Sequence, residues 1–194
     1  METSLIPDNE EGIQTNTESS VTLNSNQDAL IHFKKVIERL LHINRWHDLA
    51  GTATANFQLT NNKGNEVERE VQQGDHLRIK IPAPGSVTGD GYDWVMVEAI
   101  EVLENCVAIR VRPASNPKNN KEDVAHFFDA SATSSFVVKM DGNTITAGVY
   151  GRNEKPNTDA ETMVDKVRNT AIASGAIAGF SKIQWKSLVN GLIA

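Results

Sequence analysis

The stretch at residues 133–150, TSSFVVKMDGNTITAGVY, carries the signal that decides the fold class. Apolar and polar residues alternate on both sides of Asp141-Gly142, a dipeptide favoured in tight hairpin turns. Because successive side chains of a strand point to opposite faces, this pattern predicts two antiparallel strands, each with one buried face.

The same two-residue period extends towards the N-terminus, from residue 52 to residue 112. Between residues 94 and 97 both alternating faces are apolar, which is typical of a strand in the middle of a sheet. Clusters of Gly, Asn, Asp and Pro separate the apolar segments and predict turns between them. We therefore expect strands near residues 53–59, 67–71, 77–81, 92–103 and 106–112.

A helical period precedes the strands. Apolar residues recur every three to four positions between residues 28 and 49, which predicts an amphipathic helix. Ser25 and Asp28 stand at capping-box spacing and mark its start, and Gly51 allows the chain to turn after it. Residues 1–24 are polar and poor in apolar side chains, so we expect a disordered tail there.

A helical period also returns after the hairpin. Thr158 and Glu161 stand at capping-box spacing ahead of apolar residues with helical spacing, among them Met163, Val164 and Val167. Glycines at 175 and 179 are expected to interrupt this helix. A second capping box at residues 181 and 184 predicts a short final helix.

These elements define an α+β protein, with residues 25–194 as a single domain. We expect an N-terminal helix, then a strongly curved antiparallel sheet or partly open barrel of six to seven strands, packed by one or two C-terminal helices. The order of elements over residues 28–193 resembles the START-type helix-grip architecture. That resemblance implies a curved sheet that wraps a long C-terminal helix and encloses a ligand cavity.

A second resemblance covers a shorter part of the chain. The five short strands expected over residues 53–112 resemble small SH3-like barrels, to which a hairpin and helices would then be added. This alternative implies a protein partner instead of an internal ligand. Fold alone does not fix function, so both alternatives stay open at this point.

Composition excludes several classes of function. The 194 residues carry a net charge of −6, which argues against nucleic acid as the main partner because phosphate binding needs a basic surface. No apolar run approaches the ~20 residues that a membrane span requires. The start lacks the pattern of a secretory signal, and Cys106 has no second cysteine to pair with. We expect a cytoplasmic location, and self-association is left open.

Motifs for metal, cofactor or phosphate chemistry are weak. The glycines at 85, 89 and 91 precede an expected strand, whereas a phosphate loop leads into a helix N-terminus. The histidines do not show the spacing of a zinc protease, and Cys106 has no evident base beside it. We therefore predict no metal and no cofactor.

One cluster of polar and aromatic residues suggests a binding site. Arg110 and Arg112 share a sheet face and could hold a carboxylate or phosphate if that face lined a cleft. Their alternative role is to form cross-strand ion pairs with Glu98 or Glu101. Glu154 and the 92–94 segment join this cluster. The candidate ligand-binding residues are Tyr92, Trp94, Arg110, Arg112, Phe136, Arg152 and Trp185.

Three functional hypotheses follow. The preferred one is a non-catalytic binding or interaction protein, which could hold a small apolar, amphipathic or anionic molecule between the sheet and the C-terminal helix. Another is a structural subunit of a larger protein assembly. The third is an enzyme of the lyase or hydrolase type whose pocket would gather Tyr92, Asp93, Arg110, Arg112 and His126. Trp185 would either cap the core or belong to a partner-binding stripe.

Overall fold

The computed structural model describes residues 3–51, 54–119, 122–160, 162–172 and 177–194, with the side chains of residues 177–181 left out of the description. The helices are α1 (Asn26–Leu41), α2 (Trp46–Ala50), α3 (Met163–Ala171) and α4 (Ile177–Ile193). The strands are β1 (Ile13–Thr22), β2 (Asn56–Thr60), β3 (His76–Lys80), β4 (Asp93–Leu103), β5 (Cys106–Pro113), β6 (Thr133–Asp141) and β7 (Thr144–Glu154).

The seven strands form one sheet in the order β1-β7-β6-β5-β4-β3-β2, and every neighbouring pair is antiparallel. Strands β2 to β7 follow one another as a meander, and β1 returns to lie beside β7. Because β1 and β2 lie at opposite edges, the sheet is open. The predicted α+β class with an N-terminal helix and C-terminal helices is confirmed, and the SH3-like barrel is wrong.

The core lies between the concave face of the sheet and the helices. α1 buries Phe33, Val36 and Leu40 in it, and α4 buries Leu188 and Leu192. The start of α1 follows from the predicted cap, since the Ser25 hydroxyl accepts a hydrogen bond from the amide of Asp28 at 3.1 Å. None of the helices within the described residues is both long enough and apolar enough to cross a bilayer.

The prediction of a disordered tail is wrong for residues 13–22. These residues form β1, an edge strand paired with β7 from Ile13 opposite Glu154 to Thr22 opposite Thr144. Ahead of it, Leu5 is buried on the convex face of the sheet against Cys106 and Tyr150. An edge strand can be largely polar, because backbone hydrogen bonds hold it while its side chains meet solvent. The composition of residues 13–22 therefore does not reveal that they form a strand.

Two other expectations about strands need correction. Residues 67–71 form no strand. The amide of Val67 donates to the carbonyl of Leu59 in β2 at 3.1 Å, but the amide of Val71 donates to the carbonyl of Leu41 in α1 at 3.0 Å. The strand expected from residue 53 is described from Asn56 onwards, and residue 53 itself lies outside the described residues.

The C-terminal helices also differ from expectation. α4 extends from Ile177 to Ile193, so Ser181 and Gln184 lie inside it and do not cap it. The Gln184 side chain instead accepts a hydrogen bond from the amide of Ala55 at 3.0 Å. The cap of α3 is Thr162, which accepts from the amide of Asp165, while Glu161 and Gly175 of the predicted pattern lie outside the described residues.

α3 shows the reverse of ordinary amphipathic packing. Its apolar residues Met163, Val164 and Val167 are 73%, 65% and 64% exposed, whereas Asp165 and Arg168 are buried. The expected apolar contact face is therefore wrong. Polar groups can be buried here because the loop between β3 and β4 supplies partners: the carboxylate of Asp165 accepts hydrogen bonds from the backbone and the hydroxyl of that loop.

Candidate functional site

A cavity of about 50 Å³ lies between the concave face of the sheet and α4. Six strands, α4 and the loop before β6 all contribute to its wall. Most of the lining is apolar and aromatic, and three polar residues enter it. The lining residues are Phe57, Leu77, Ile79, Val95, Val111, His126, Phe127, Phe128, Ser134, Phe136, Glu154 and Trp185.

The two-residue period of the strands explains why these side chains meet. Leu77 and Ile79 share one face of β3, and Ser134 and Phe136 share one face of β6. Trp185 of α4 packs across this face. Its ring centroid lies 6.0 Å from that of Phe57 and 5.4 Å from that of Phe136, so the indole forms one wall of the cavity.

The loop before β6 contributes His126, Phe127 and Phe128 to the wall of the cavity. The rings of His126 and Phe127 lie 4.2 Å apart, and Nδ1 of His126 accepts a hydrogen bond from the amide of Phe128 at 2.9 Å. The amide of Trp94 donates to the carbonyl of Ala125 at 2.8 Å and attaches the loop to β4. The imidazole is therefore held in one orientation.

Burial determines the charge of His126. Desolvation, together with the nearby positive charge of Arg168, lowers the pKa of His126 to about 3, while the bond from Phe128 opposes this shift. The imidazole is therefore neutral at neutral pH. Because Nδ1 accepts a hydrogen bond, the proton of the neutral ring lies on Nε2.

Glu154 enters the cavity because the alternation of β7 changes near its end. Asn153 has a φ of 55°, in the left-handed region, and the following side chain turns towards the concave face. Gly151 leaves the space that the carboxyl occupies, since any side chain there would collide with Glu154 and Thr15. Oε2 of Glu154 accepts a hydrogen bond from the Thr15 hydroxyl at 3.3 Å.

The carboxyl of Glu154 is only 5% exposed. Desolvation raises its pKa to about 7, while the Thr15 hydroxyl and the charge of Arg152 act in the opposite direction. Glu154 thus changes its charge near neutral pH, within a largely apolar cavity.

A buried ion pair supports the loop that carries His126. Arg168 of α3 binds both carboxylate oxygens of Asp93, at 3.1 Å and 2.5 Å, and Asp93 is fully buried. The same carboxylate accepts a hydrogen bond from the amide of Phe127 at 3.1 Å. Arg168 also donates to the carbonyl of Pro84. Thus α3, the β3–β4 loop and the His126 loop are joined at one carboxylate.

The structure brings together two of the residues predicted to bind a ligand, Phe136 and Trp185, in the cavity wall. Trp94 is buried away from the cavity, and its indole donates to the carbonyl of Gly89 at 3.1 Å. The ring of Tyr92 stacks against Arg78 at 4.6 Å. Arg152 donates to the carbonyl of Thr15 at the β1–β7 edge.

Arg110 and Arg112 alternate with Val111, so they lie on the opposite face of β5 from the cavity. Arg110 binds Glu98 at 2.7 Å and Arg112 binds it at 3.1 Å, as the cross-strand alternative predicted. The set proposed for an enzyme therefore does not converge, because His126 faces the cavity while these arginines lie behind the sheet.

The sequence places His126 in the set proposed for an enzyme and Glu154 in the cluster around the arginines, but neither residue is in the candidate ligand-binding set. The aromatic residues that follow His126 were the one local signal for its burial. For Glu154 the deciding feature is the positive φ of Asn153, which the spacing of apolar residues does not predict. Among the described residues there is no group of three or more His, Cys, Asp or Glu arranged to hold a metal ion.

Comparison with known proteins gives a fold and no family. No family model and no curated protein matches the chain. Hypothetical protein jhp0584 from Helicobacter pylori matches with a TM-score of 0.56 and 13% identity, over 93% of this chain and 86% of that chain. At this identity the likeness shows the fold alone.

Two further solved structures match at lower TM-scores. The extracellular domain of PknH from Mycobacterium tuberculosis gives 0.39 at 6% identity, over 88% of this chain and 60% of that one. Major latex-like protein 151 from Panax ginseng gives 0.36 at 13% identity, over 86% of this chain and 96% of that one.

Fold and site together define an α+β protein whose antiparallel sheet and C-terminal helix enclose a small, mostly apolar cavity.

Proposed function

We propose that the protein binds a small apolar or amphipathic molecule in the cavity between the sheet and α4, without catalysing a reaction. The observation that carries this proposal is the convergence of side chains from six strands, one helix and one loop on a single cavity. Ligand sites are typically concave and mostly apolar, with a few polar groups that fix orientation.

The composition of the wall supports this class of ligand. Phe57, Phe127 and Phe136 present aromatic surface, which favours contact with apolar groups. Polar character is confined to His126, Ser134 and Glu154. An amphipathic molecule would place its apolar part against the rings and its polar part near these three residues.

The size of the cavity limits the ligand. A volume of about 50 Å³ is well below the roughly 150 Å³ of an engineered cavity that binds benzene. A ring-sized ligand therefore requires a wall residue to move. Trp185 is suited to this, because it is partly exposed and its contacts to Phe57 and Phe136 are ring contacts. Rotation of this one indole would enlarge the cavity.

Filling the cavity should abolish binding. Ser134 lies on the inner face of β6, and Ser134→Leu would place an isobutyl group in the space that the ligand needs. We expect the affinity for toluene and indole, titrated with amide NMR shifts as the readout, to fall by about tenfold or more, which corresponds to ~1.4 kcal/mol. Ser134→Ala removes the hydroxyl without filling the space and should bind toluene as the unaltered protein does.

Two results would count against the proposal. If neither toluene nor indole shifted the resonances of Phe136, Val111 and the Trp185 indole, the cavity would not be a binding site for this class of molecule. If Ser134→Leu bound both compounds as well as Ser134→Ala did, the site of binding would lie elsewhere on the protein.

A further inference from the structure

Two polar side chains in the cavity wall are more than nine-tenths buried: His126 is 7% exposed and Glu154 is 5% exposed. They come from different parts of the fold, the loop before β6 and the end of β7, and line the same cavity. Placing polar groups in an apolar wall costs free energy unless they gain hydrogen bonds. The arrangement therefore needs a reason beyond packing.

Each of these side chains keeps one polar atom without a partner among the residues that the structure describes. His126 uses Nδ1 to accept from Phe128, and its protonated Nε2 makes no hydrogen bond to them. Glu154 uses Oε2 to accept from Thr15, and its Oε1 makes no such bond either. The side chains that line the cavity thus carry one N–H donor and one carboxyl oxygen that are available to a ligand.

This pair selects among the polar groups of a ligand. A carbonyl or ether oxygen can accept from Nε2 but cannot donate to the carboxylate. An ammonium group can donate to the carboxylate but leaves Nε2 without an acceptor. A ligand carboxylate would place a second negative charge beside ionised Glu154. A neutral hydroxyl group both accepts and donates, so of these groups it alone has a complementary atom for each of the two residues.

We propose that His126 and Glu154 form the recognition pair of the cavity, and that its ligand is an alcohol or phenol whose hydroxyl accepts from Nε2 of His126 and donates to the carboxylate of Glu154. This inference rests on the proposed function, since it assigns the polar end of a ligand whose apolar body lies against the phenylalanines. Their rings surround the imidazole, with Phe127 at 4.2 Å and Phe128 at 5.8 Å from it.

Ring compounds that differ in one substituent test this assignment. Phenol, toluene, benzylamine and benzoate are titrated against the full chain at pH 8, with amide and indole NMR shifts as the readout. We expect phenol to bind at least about fivefold more tightly than toluene, since two hydrogen bonds to buried groups each contribute about 0.5–1.5 kcal/mol. Benzylamine and benzoate should bind more weakly than phenol.

Variants then assign the preference to the two side chains. Glu154→Met removes the carboxyl and keeps a similar side-chain volume. We expect the affinity for phenol to fall to within about twofold of the affinity for toluene, and the affinity for toluene to stay unchanged. His126→Phe should do the same. If His126→Phe does not fold, because it also loses the bond from Phe128, Glu154→Met alone decides the question.

The outcomes separate this inference from the proposed function. Equal affinities for phenol and toluene, both lost in Ser134→Leu, would overturn the recognition pair and leave the cavity as an apolar binding site. Tighter binding of benzylamine or benzoate than of phenol would overturn the hydroxyl assignment. A phenol preference that persists in Glu154→Met would overturn the role of Glu154. Failure of every compound to bind would overturn both proposals.

Discussion

Replacing Arg168 with leucine is expected to lower the free energy of unfolding by about 3–5 kcal/mol, because it leaves the carboxylate of Asp93 buried without its cation. The two side chains are 5% and 0% exposed, and two hydrogen bonds join them. Removing one partner of a buried pair is costly even where the pair itself adds little to stability. Urea denaturation followed by tryptophan fluorescence measures this change.

Controls for the Arg168 variant lie on the same helix and in the same pair. Lys166→Leu removes a positive charge two positions earlier on the same helix and should change the stability by less than about 0.5 kcal/mol, as is usual for surface substitutions. Adding Asp93→Asn to Arg168→Leu removes the unpaired charge and should restore a large part of the loss. A loss below about 1 kcal/mol in Arg168→Leu would contradict the burial of this pair.

Glu154→Gln is expected to become more stable relative to the unaltered protein as the pH rises from 4 to 8. Folding raises the pKa of Glu154 from 4.5 to about 7, so the native state binds its proton more tightly than the unfolded state does. The stabilisation by this proton is complete below pH 4.5 and is lost as the pH rises through 7. The stability difference between the two proteins should therefore change by about 3 kcal/mol.

In the unaltered protein, the effect of Glu154 is opposed over part of this range by that of His126. Its pKa falls from 6.5 in the unfolded chain to about 3, so stability is complete above pH 6.5 and is lost as the pH falls through 3. Between pH 4.5 and 6.5 the two contributions oppose each other. Glu154→Gln removes one of them, and its stability should rise with pH across this window. A stability difference between the two proteins that stays constant from pH 4 to 8 would contradict the raised pKa of Glu154.

The meander of strands could be predicted from the sequence because the spacing of apolar residues within each strand indicates which side chains are buried. On β7, the buried Ile145 and Ala147 alternate with the half-buried Thr144 and Thr146, and Asp141-Gly142 fixes the turn between two adjacent strands. The cap of α1 is equally local, since Ser25 bonds the amide three residues later. These features involve near neighbours in the chain and need no knowledge of the tertiary structure.

The remaining features depend on distant partners. Arg168 can face inward only because Asp93 and Pro84, far away in the chain, meet it there. The apolar spacing of Met163, Val164 and Val167 consequently predicted the wrong face. The meeting of His126 and Glu154 in one cavity likewise depends on the curvature of the sheet and on the backbone turn at Asn153. The spacing of apolar residues along the sequence predicts neither the curvature nor the turn.

The position of β1 has a consequence for synthesis on the ribosome. This strand leaves the exit tunnel before the other six strands, yet its hydrogen-bonding neighbour β7 is made more than a hundred residues later, since Ile13 pairs with Glu154. Contacts of such large sequence separation form slowly. Until then β1 is an unpaired segment, and its threonine, serine and asparagine side chains give it little apolar surface. The polar composition that makes this strand hard to predict from hydropathy thus also limits the apolar surface that the unpaired segment exposes.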